Sequence, residues 1–146
     1  MPALSFGIKT APQHTTYEAM LAIWQAADAL PIFEHAWLFD HYAPIFSDLD
    51  GPCYEGWTLL AAFAALTKRI RIGLMVTGNT YRHPAVLANI AATTDIIAQG
   101  RLDFGIGAGW NEYEHSSMGP FRSFQAQRGI ACRSTRDSSV AGAPSA

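Results

Sequence analysis

Short apolar segments alternate with amphipathic segments along the first 108 residues, and this alternation constrains the fold more than any other feature of the sequence. The segment 4–8 (LSFGI) alternates apolar with small or polar residues, which is the period of a strand. Further strands are predicted at 36–39 (AWLF), 69–76 (RIRIGLMV) and 101–108 (RLDFGIGA). Strands that alternate with helices in this way predict βαβ units and a parallel sheet.

Three helices are predicted between these strands. Thr15 and Glu18 form a capping-box pattern, which predicts that the first helix begins at Thr15. The Ala- and Leu-rich segment 55–67 predicts the second helix. Pro84 suits the first position of a third helix, where its missing N–H costs nothing, and Gly100 is expected to end that helix.

Two α/β architectures have this order of elements: an open, doubly wound sheet and a (β/α)₈ barrel. A barrel needs about 250 residues, and four strands cannot close one. The length of 146 residues therefore favours the open sheet.

Charge and cysteine content exclude several classes of protein. Ten basic and twelve acidic residues, without a long run of either sign, predict no binding to nucleic acid or to an anionic membrane. A small-molecule partner is expected instead. Cys53 and Cys132 are too far apart for a zinc-binding spacing and indicate no disulfide framework. Together with an N-terminus that lacks the pattern of a signal peptide, they predict a cytoplasmic protein.

The C-terminal segment differs in composition from the rest of the chain. From Ser116 onward it is rich in serine and arginine, and after Phe124 it has neither the period of a strand nor that of a helix. Such a segment buries too little apolar surface to offset the entropy lost on ordering. We expect it to be disordered or weakly held.

Candidate chemistry lies after the predicted strands, because functional residues in parallel sheets collect at the carboxyl ends of the strands. Asp40 and His41 follow the second strand and can supply an acid–base pair. The alternative is an aspartate that caps a loop beside a solvated histidine. Arg82 and His83, which precede Pro84, can bind an anion at a helix N-terminus or simply form part of a turn.

Two further sequence patterns bear on ligand binding. Gly105, Gly107 and Gly109 have the spacing G-x-G-x-G, which lacks the third glycine of a dinucleotide-binding fingerprint. They indicate either a strand cleared of side chains so that a flat ring can approach, or a crowded interior where only glycine fits. Glu112 and His115 have a spacing that suits metal ligands, but no third ligand is near in the sequence, so no metal is predicted.

Three motifs, in the same order and spacing, resemble those of the luciferase-like monooxygenase superfamily, and particularly its deazaflavin-dependent oxidoreductases. They are FDH at 39–41, TYRHPAVLA at 80–88 and DIIAQGRLDFGIGAGWNEYEH at 95–115. The resemblance implies that residues 1–121 are the N-terminal half of a (β/α)₈ TIM barrel, with about four strands, and it overrides the argument from length. Residues 122–146 would then be a disordered or frameshifted tail.

The resemblance also implies a cofactor site. The cofactor would be the deazaflavin coenzyme 420, or alternatively FMN, and a hydride would pass between its ring and a small organic substrate. His41 would be the catalytic residue and candidate proton donor. The cofactor-binding residues would be Asp40, Met75, Val76, Thr77, Ala108, Gly109 and Trp110. Many relatives have a non-proline cis peptide near the position of Met75 and Val76.

Two departures from the family pattern qualify the implied activity. Trp110 occupies the position at which the sugar-phosphate dehydrogenase subgroup has a catalytic glutamate, which points to other oxidoreductases of the family. After MGPFRSF at 118–124 the pattern of relatives is lost. The resulting hypothesis is a truncated or frameshifted oxidoreductase. The alternatives are a non-catalytic remnant, soluble as a homo-oligomer through exposed sheet edges, and an unrelated open-sheet nucleotide-binding module.

Overall fold

The computed structural model describes residues 4–118, which contain six strands and four helices. In chain order they are β1 (Phe6–Lys9), α1 (Tyr17–Ala29), β2 (Phe33–Leu38), α2 (Gly56–Leu66), β3 (Arg71–Leu74), β4 (Thr77–Gly78), α3 (Pro84–Ile97), β5 (Leu102–Asp103), β6 (Ile106–Gly107) and α4 (Glu112–Ser117). The predicted tail at 122–146 lies outside the described residues.

The strands form one parallel sheet in the order β1-β2-β3-β5 and a smaller parallel pair, β4-β6. The pair continues the direction of β3 and β5 beyond an irregular step, at which the Met75–Val76 peptide bond is cis. Around this step the N–H of Met75 donates to Leu38 O at 2.7 Å, and the N–H of Thr77 donates to Gly105 O at 2.9 Å. The predicted parallel sheet is confirmed.

One face of the sheet is covered by the helices and forms the core. In β2, buried Ala36 and Leu38 alternate with the less buried His35 and Trp37, as the two-residue period of a strand requires. The buried side chains pack against α1, α2 and α3, and the core includes Met20, Trp24, Leu60, Phe63, Ile72, Leu74 and Leu87. The uncovered face is partly polar.

The second strand starts earlier than predicted and has a polar side chain, His35, in an ion-pair cluster. Asp103 on β5 accepts hydrogen bonds from His35 Nδ1 and Arg71 Nε, both at 2.9 Å. Burial would raise the pKa of Asp103, but the bonds from Arg71 and His35 lower it below its usual value. The strand begins at Phe33 rather than at residue 36, and the polar residues Glu34 and His35 interrupt the apolar run by which a buried strand is predicted.

The helix starts are partly as predicted. Pro84 is the first residue of α3, which confirms that prediction. The prediction that Thr15 starts the first helix is wrong by one residue, since Thr16 Oγ1 accepts the N–H of Ala19 at 3.2 Å. Glu55 caps α2 through bonds from the N–H groups of Trp57 and Thr58.

The end of α3 also follows the prediction. Helix α3 ends at Ile97, and Gly100 follows it with a φ of +81°. A positive φ is the conformation that glycine adopts most readily after a helix. Within residues 4–118, no helix is both long enough and apolar enough to cross a bilayer.

Candidate functional site

A cleft of about 400 Å³ opens at the carboxyl ends of the strands, where the sequence placed the candidate chemistry. Of the predicted site residues, those that line it are Asp40, His41, Met75, Val76, Ala108, Gly109 and Trp110. Its further lining comes from residues that were not among the predicted site residues, including Lys9, Phe39, Ile45, Phe46 and Tyr81. The loops that follow β2, β4 and β6 therefore converge on one site.

Thr77, the remaining predicted site residue, lies below the cleft and is fully buried. Its hydroxyl donates to Asp40 Oδ2 at 2.5 Å and accepts the indole N–H of Trp57 at 3.0 Å. Thr77 thus connects helix α2 to the aspartate at the floor of the cleft.

Asp40 is held by a buried ion pair. Arg82 donates from Nη1 to Oδ2 at 2.6 Å and from Nη2 to Oδ1 at 2.8 Å, and it also pairs with Glu55. The Arg82 side chain is only 11% exposed, and it lies 5.5 Å from the ring centroid of Tyr42. Burial would lower the pKa of Arg82, but the bonds to Asp40 raise it well above its ordinary value. This geometry matches the strong bidentate arrangement of guanidinium and carboxylate.

These contacts correct the anion-site interpretation of Arg82 and His83. Arg82 is committed to Asp40 and Glu55, and His83 Nδ1 accepts the N–H of Ala85 at 3.3 Å as the N-cap of α3. Both residues serve the structure of this loop and do not present an anion site.

His41 is paired with a residue that the sequence did not assign to the site. Its Nδ1 donates to Glu114 Oε2 at 2.8 Å, and its side chain is 12% exposed. The interpretation of Asp40 and His41 as a loop cap beside a solvated histidine is therefore wrong. The carboxylate that orients His41 is Glu114, because Asp40 is taken up by Arg82 and Thr77.

Glu114 lies on α4 and has a fully buried side chain. It also accepts the N–H of Tyr42 at 2.5 Å, the N–H of Ala43 at 3.1 Å and the hydroxyl of Tyr81. Burial would raise the pKa of Glu114, but the bonds from His41, Tyr81 and the two backbone groups lower it below its ordinary value. A buried carboxylate with this many donors is ionised at neutral pH.

Aromatic rings form one wall of the cleft. Trp110 lies edge-on to His41 at 5.5 Å between centroids, and it stacks on Phe46 at 5.8 Å with an interplanar angle of 15°. Phe46 is 92% exposed and Trp110 is 54% exposed, so these rings offer apolar surface to a ligand. Planar aromatic surfaces of this kind suit a flat ring system.

The three glycines support the crowded-interior interpretation and still contribute to the cleft. A Cβ at Gly105 would lie 2.5 Å from Leu74 O, and one at Gly107 would lie 2.6 Å from a Val76 methyl. Gly109 has a φ of +74°, which disfavours other residues. Gly107 and Gly109 also line the cleft, so these two glycines both permit close packing and form part of the cleft surface.

His115 is a structural residue. Its Nδ1 donates to Asn111 O at 2.6 Å, and the hydroxyl of Thr80 donates to its Nε2 at 2.5 Å. His115 is buried, whereas Glu112 is exposed. Within residues 4–118, no three side chains of metal-binding type are grouped as a metal site would require.

Comparison with known proteins identifies the family. The family model for luciferase-like monooxygenases matches residues 3–130. The chain belongs to the luciferase-like monooxygenase family. This membership excludes the unrelated open-sheet nucleotide-binding module and confirms the resemblance seen in the motifs.

Two curated relatives show what share of a relative's length this chain covers. It is 36% identical over 109 residues to the oxygenase component of the flavin-dependent trigonelline monooxygenase of Acinetobacter baylyi, covering 74% of this chain and 29% of the relative. It is 35% identical over 109 residues to 5,10-methylenetetrahydromethanopterin reductase of Methanopyrus kandleri, covering 75% and 28%. The chain therefore spans less than a third of the length of these family members.

Solved structures of the family show the same fold. The coenzyme F420-dependent tetrahydromethanopterin reductase from Methanopyrus kandleri superimposes with a TM-score of 0.66 at 30% identity, covering 82% of this chain and 31% of that one. The oxygenating constituent of 3,6-diketocamphane monooxygenase from Pseudomonas putida, in complex with FMN, gives a TM-score of 0.74 at 22% identity, covering 93% and 38%. The chain thus has the fold of part of a TIM barrel, and the preference for an open sheet is wrong.

Proposed function

We propose that the cleft binds the ring of a deazaflavin or flavin cofactor, and that the chain carries the ring-binding part of an oxidoreductase of this family. The observation that carries the proposal is the convergence of seven predicted site residues on one cleft at the carboxyl ends of the strands. When bound, such a cofactor supplies hydride or oxygen chemistry to a small organic substrate.

The lining of the cleft fits a flat, largely apolar ring. The side chains of Met75, Val76 and Trp110 are each about half exposed there, and together they offer an apolar surface to a ligand. Ala108 is exposed and lines the cleft next to Gly107, so a ring can approach the chain there. His41 contributes a polar imidazole, which Glu114 holds in place, to the same cleft.

In this proposal Asp40 shapes the site through its neighbours. Its carboxylate fixes Arg82 and Thr77, which hold the loops after β2 and β4 together. His41 is the candidate catalytic residue, since it brings an imidazole to the cleft and is held there by a buried carboxylate. His41 would hold or move a proton at a ligand atom in the cleft.

The cofactor is proposed to be the deazaflavin coenzyme F420, with FMN as the alternative. The relatives support both, because the Methanopyrus kandleri reductase structure is described as F420-dependent and the Acinetobacter baylyi relative as flavin-dependent. Parallel titrations of the purified 146-residue chain with F420 and with FMN, followed by cofactor fluorescence, distinguish the two. We expect saturable binding of one of them.

Filling the cleft with a larger side chain should abolish this binding. Ala108 is exposed and lines the cleft, so Ala108→Phe adds a ring there without disturbing buried packing. We expect the Kd to rise at least tenfold, or about 1.4 kcal/mol of lost binding free energy. The matched control is Ala22→Phe, at an exposed position on α1 outside the cleft, which should bind as the wild type does. Equal Kd values for the two variants, or no binding of either cofactor by the folded wild type, would contradict the proposal.

We further propose that the sheet is completed by a second copy of the chain. Among the described residues, β1 and β5 are the outer strands of the sheet, and half-exposed Phe6 and Phe104 lie at these edges. Unpaired edges favour association, and the four-stranded sheets of two copies together supply the eight strands that a barrel needs. Light scattering on the eluting protein should give twice the mass of one 15.9 kDa chain. A stable monomer that unfolds cooperatively would contradict this expectation.

A further inference from the structure

We propose that Glu114 is a positioning residue that holds His41 as the Nδ1–H tautomer, so that the lone pair of His41 Nε2 is available to a ligand in the cleft. The proposal rests on the proposed function only for the identity of that ligand. The tautomer itself is a property of this chain.

The contacts of the Glu114 carboxylate fix the direction of the hydrogen bond to His41. Glu114 is ionised, and an ionised carboxylate can only accept hydrogen bonds. Nδ1 of His41, 2.8 Å from Oε2, must therefore carry a proton. In a neutral imidazole only one nitrogen is protonated, so Nε2 is then an acceptor.

The geometry presents that acceptor to the cleft. His41 lines the cleft, and within residues 4–118 no hydrogen bond to its Nε2 is found. The ring is packed edge-to-face against Phe39 at 5.1 Å and Trp110 at 5.5 Å between centroids, which limits its rotation. We infer that Nε2 accepts a hydrogen bond from a hydroxyl or N–H of the bound ligand and can take up its proton.

Glu114→Gln tests the proposal because the surrounding donors dictate how the new amide is oriented. The N–H groups of Tyr42 and Ala43 both point at Oε1, so they require the amide oxygen at that position. The NH₂ group must then face His41 Nδ1, to which it donates. We expect the neutral imidazole to change to the Nε2–H tautomer, which removes the acceptor from the cleft.

The measurement is ¹⁵N NMR of the histidine side chains in the full chain without cofactor, with the His41 signals assigned from a His41→Gln variant. The wild type should show a protonated Nδ1 and an unprotonated Nε2, and Glu114→Gln should show the reverse. Tyr81→Phe is the matched control, since it removes another donor to Oε2 but leaves the bond from His41, and it should keep the wild-type tautomer.

Two results would overturn the proposal. One is an Nε2–H tautomer in the wild type, which can be read even if Glu114→Gln fails to fold. The other is an unchanged tautomer in a folded Glu114→Gln variant. Because no cofactor is present, a failure of cofactor binding in the titrations leaves this test intact, and the two proposals can fail separately.

Discussion

Arg82→Met is expected to lower the free energy of unfolding by about 3–5 kcal/mol, the usual cost of removing one partner of a buried ion pair. The Asp40 side chain is fully buried, and among residues 4–118 it keeps only the Thr77 hydroxyl as a side-chain hydrogen-bond partner once the guanidinium is gone. Methionine fills similar space without a charge. The lost free energy of unfolding is therefore due to the buried Asp40 carboxylate without its partner, and not to a cavity. Urea unfolding of the two proteins at neutral pH measures the difference.

A second arginine–aspartate pair in the same chain provides the control. Arg71 and Asp103 are 43% and 24% exposed, so their pair is solvated, and Arg71→Met should cost no more than about 1 kcal/mol. Adding Asp40→Asn to Arg82→Met should restore part of the lost stability, because the buried charge is removed as well. If Arg82→Met lowers the free energy of unfolding no more than Arg71→Met does, the buried Asp40 carboxylate does not depend on Arg82 for its stabilisation.

Much of the fold could be predicted from the sequence because its signals are local. Pro84 defines the first turn of α3 through its own geometry, and Gly100 follows the end of that helix for a similar reason. The choice between Thr15 and Thr16 as N-cap could not be made, because both side chains can accept the bond and neighbouring packing decides. The start of β2 is defined by backbone pairing with strands distant in the sequence, since Phe33 pairs with Phe6 of β1 and His35 with Arg71 of β3.

For the candidate site, too, one part could be predicted from the sequence and another could not. Its location follows from topology, since the carboxyl ends of parallel strands share one edge, and this brought Asp40, His41 and Ala108 to a single cleft. The pairing inside the site depends on long-range contacts. His41 is adjacent to Asp40 in the sequence, yet its partner is Glu114, 73 residues away. The sequence did carry one signal, because Glu114 lies in the segment that follows β6, at the same end of the sheet as the loop that carries His41.

The role of Glu114 in holding the site together predicts the second large effect on stability. Glu114→Ala removes the acceptor for the N–H groups of Tyr42 and Ala43 and for the side chains of His41 and Tyr81. If two of these buried donors are left unsatisfied, at about 1–3 kcal/mol each, the expected loss at neutral pH is about 2–6 kcal/mol. Glu112→Ala is the matched control, because it removes an exposed carboxylate from the same helix and should cost less than about 1 kcal/mol.

The pH dependence of that loss separates the carboxylate from mere packing. The pKa of Glu114 is lowered in the folded chain from its ordinary value of 4.5, so the folded state binds this proton less readily than the unfolded state does. The stability that Glu114 contributes is therefore present above about pH 4.5 and is lost as the pH falls through the folded pKa. The difference in unfolding free energy between the wild type and Glu114→Ala should shrink from pH 6 to pH 3, whereas the difference for Glu112→Ala should stay small throughout. A Glu114→Ala difference that keeps its size at pH 3 would mean that Glu114 acts through its packing, and that its charge does not hold His41.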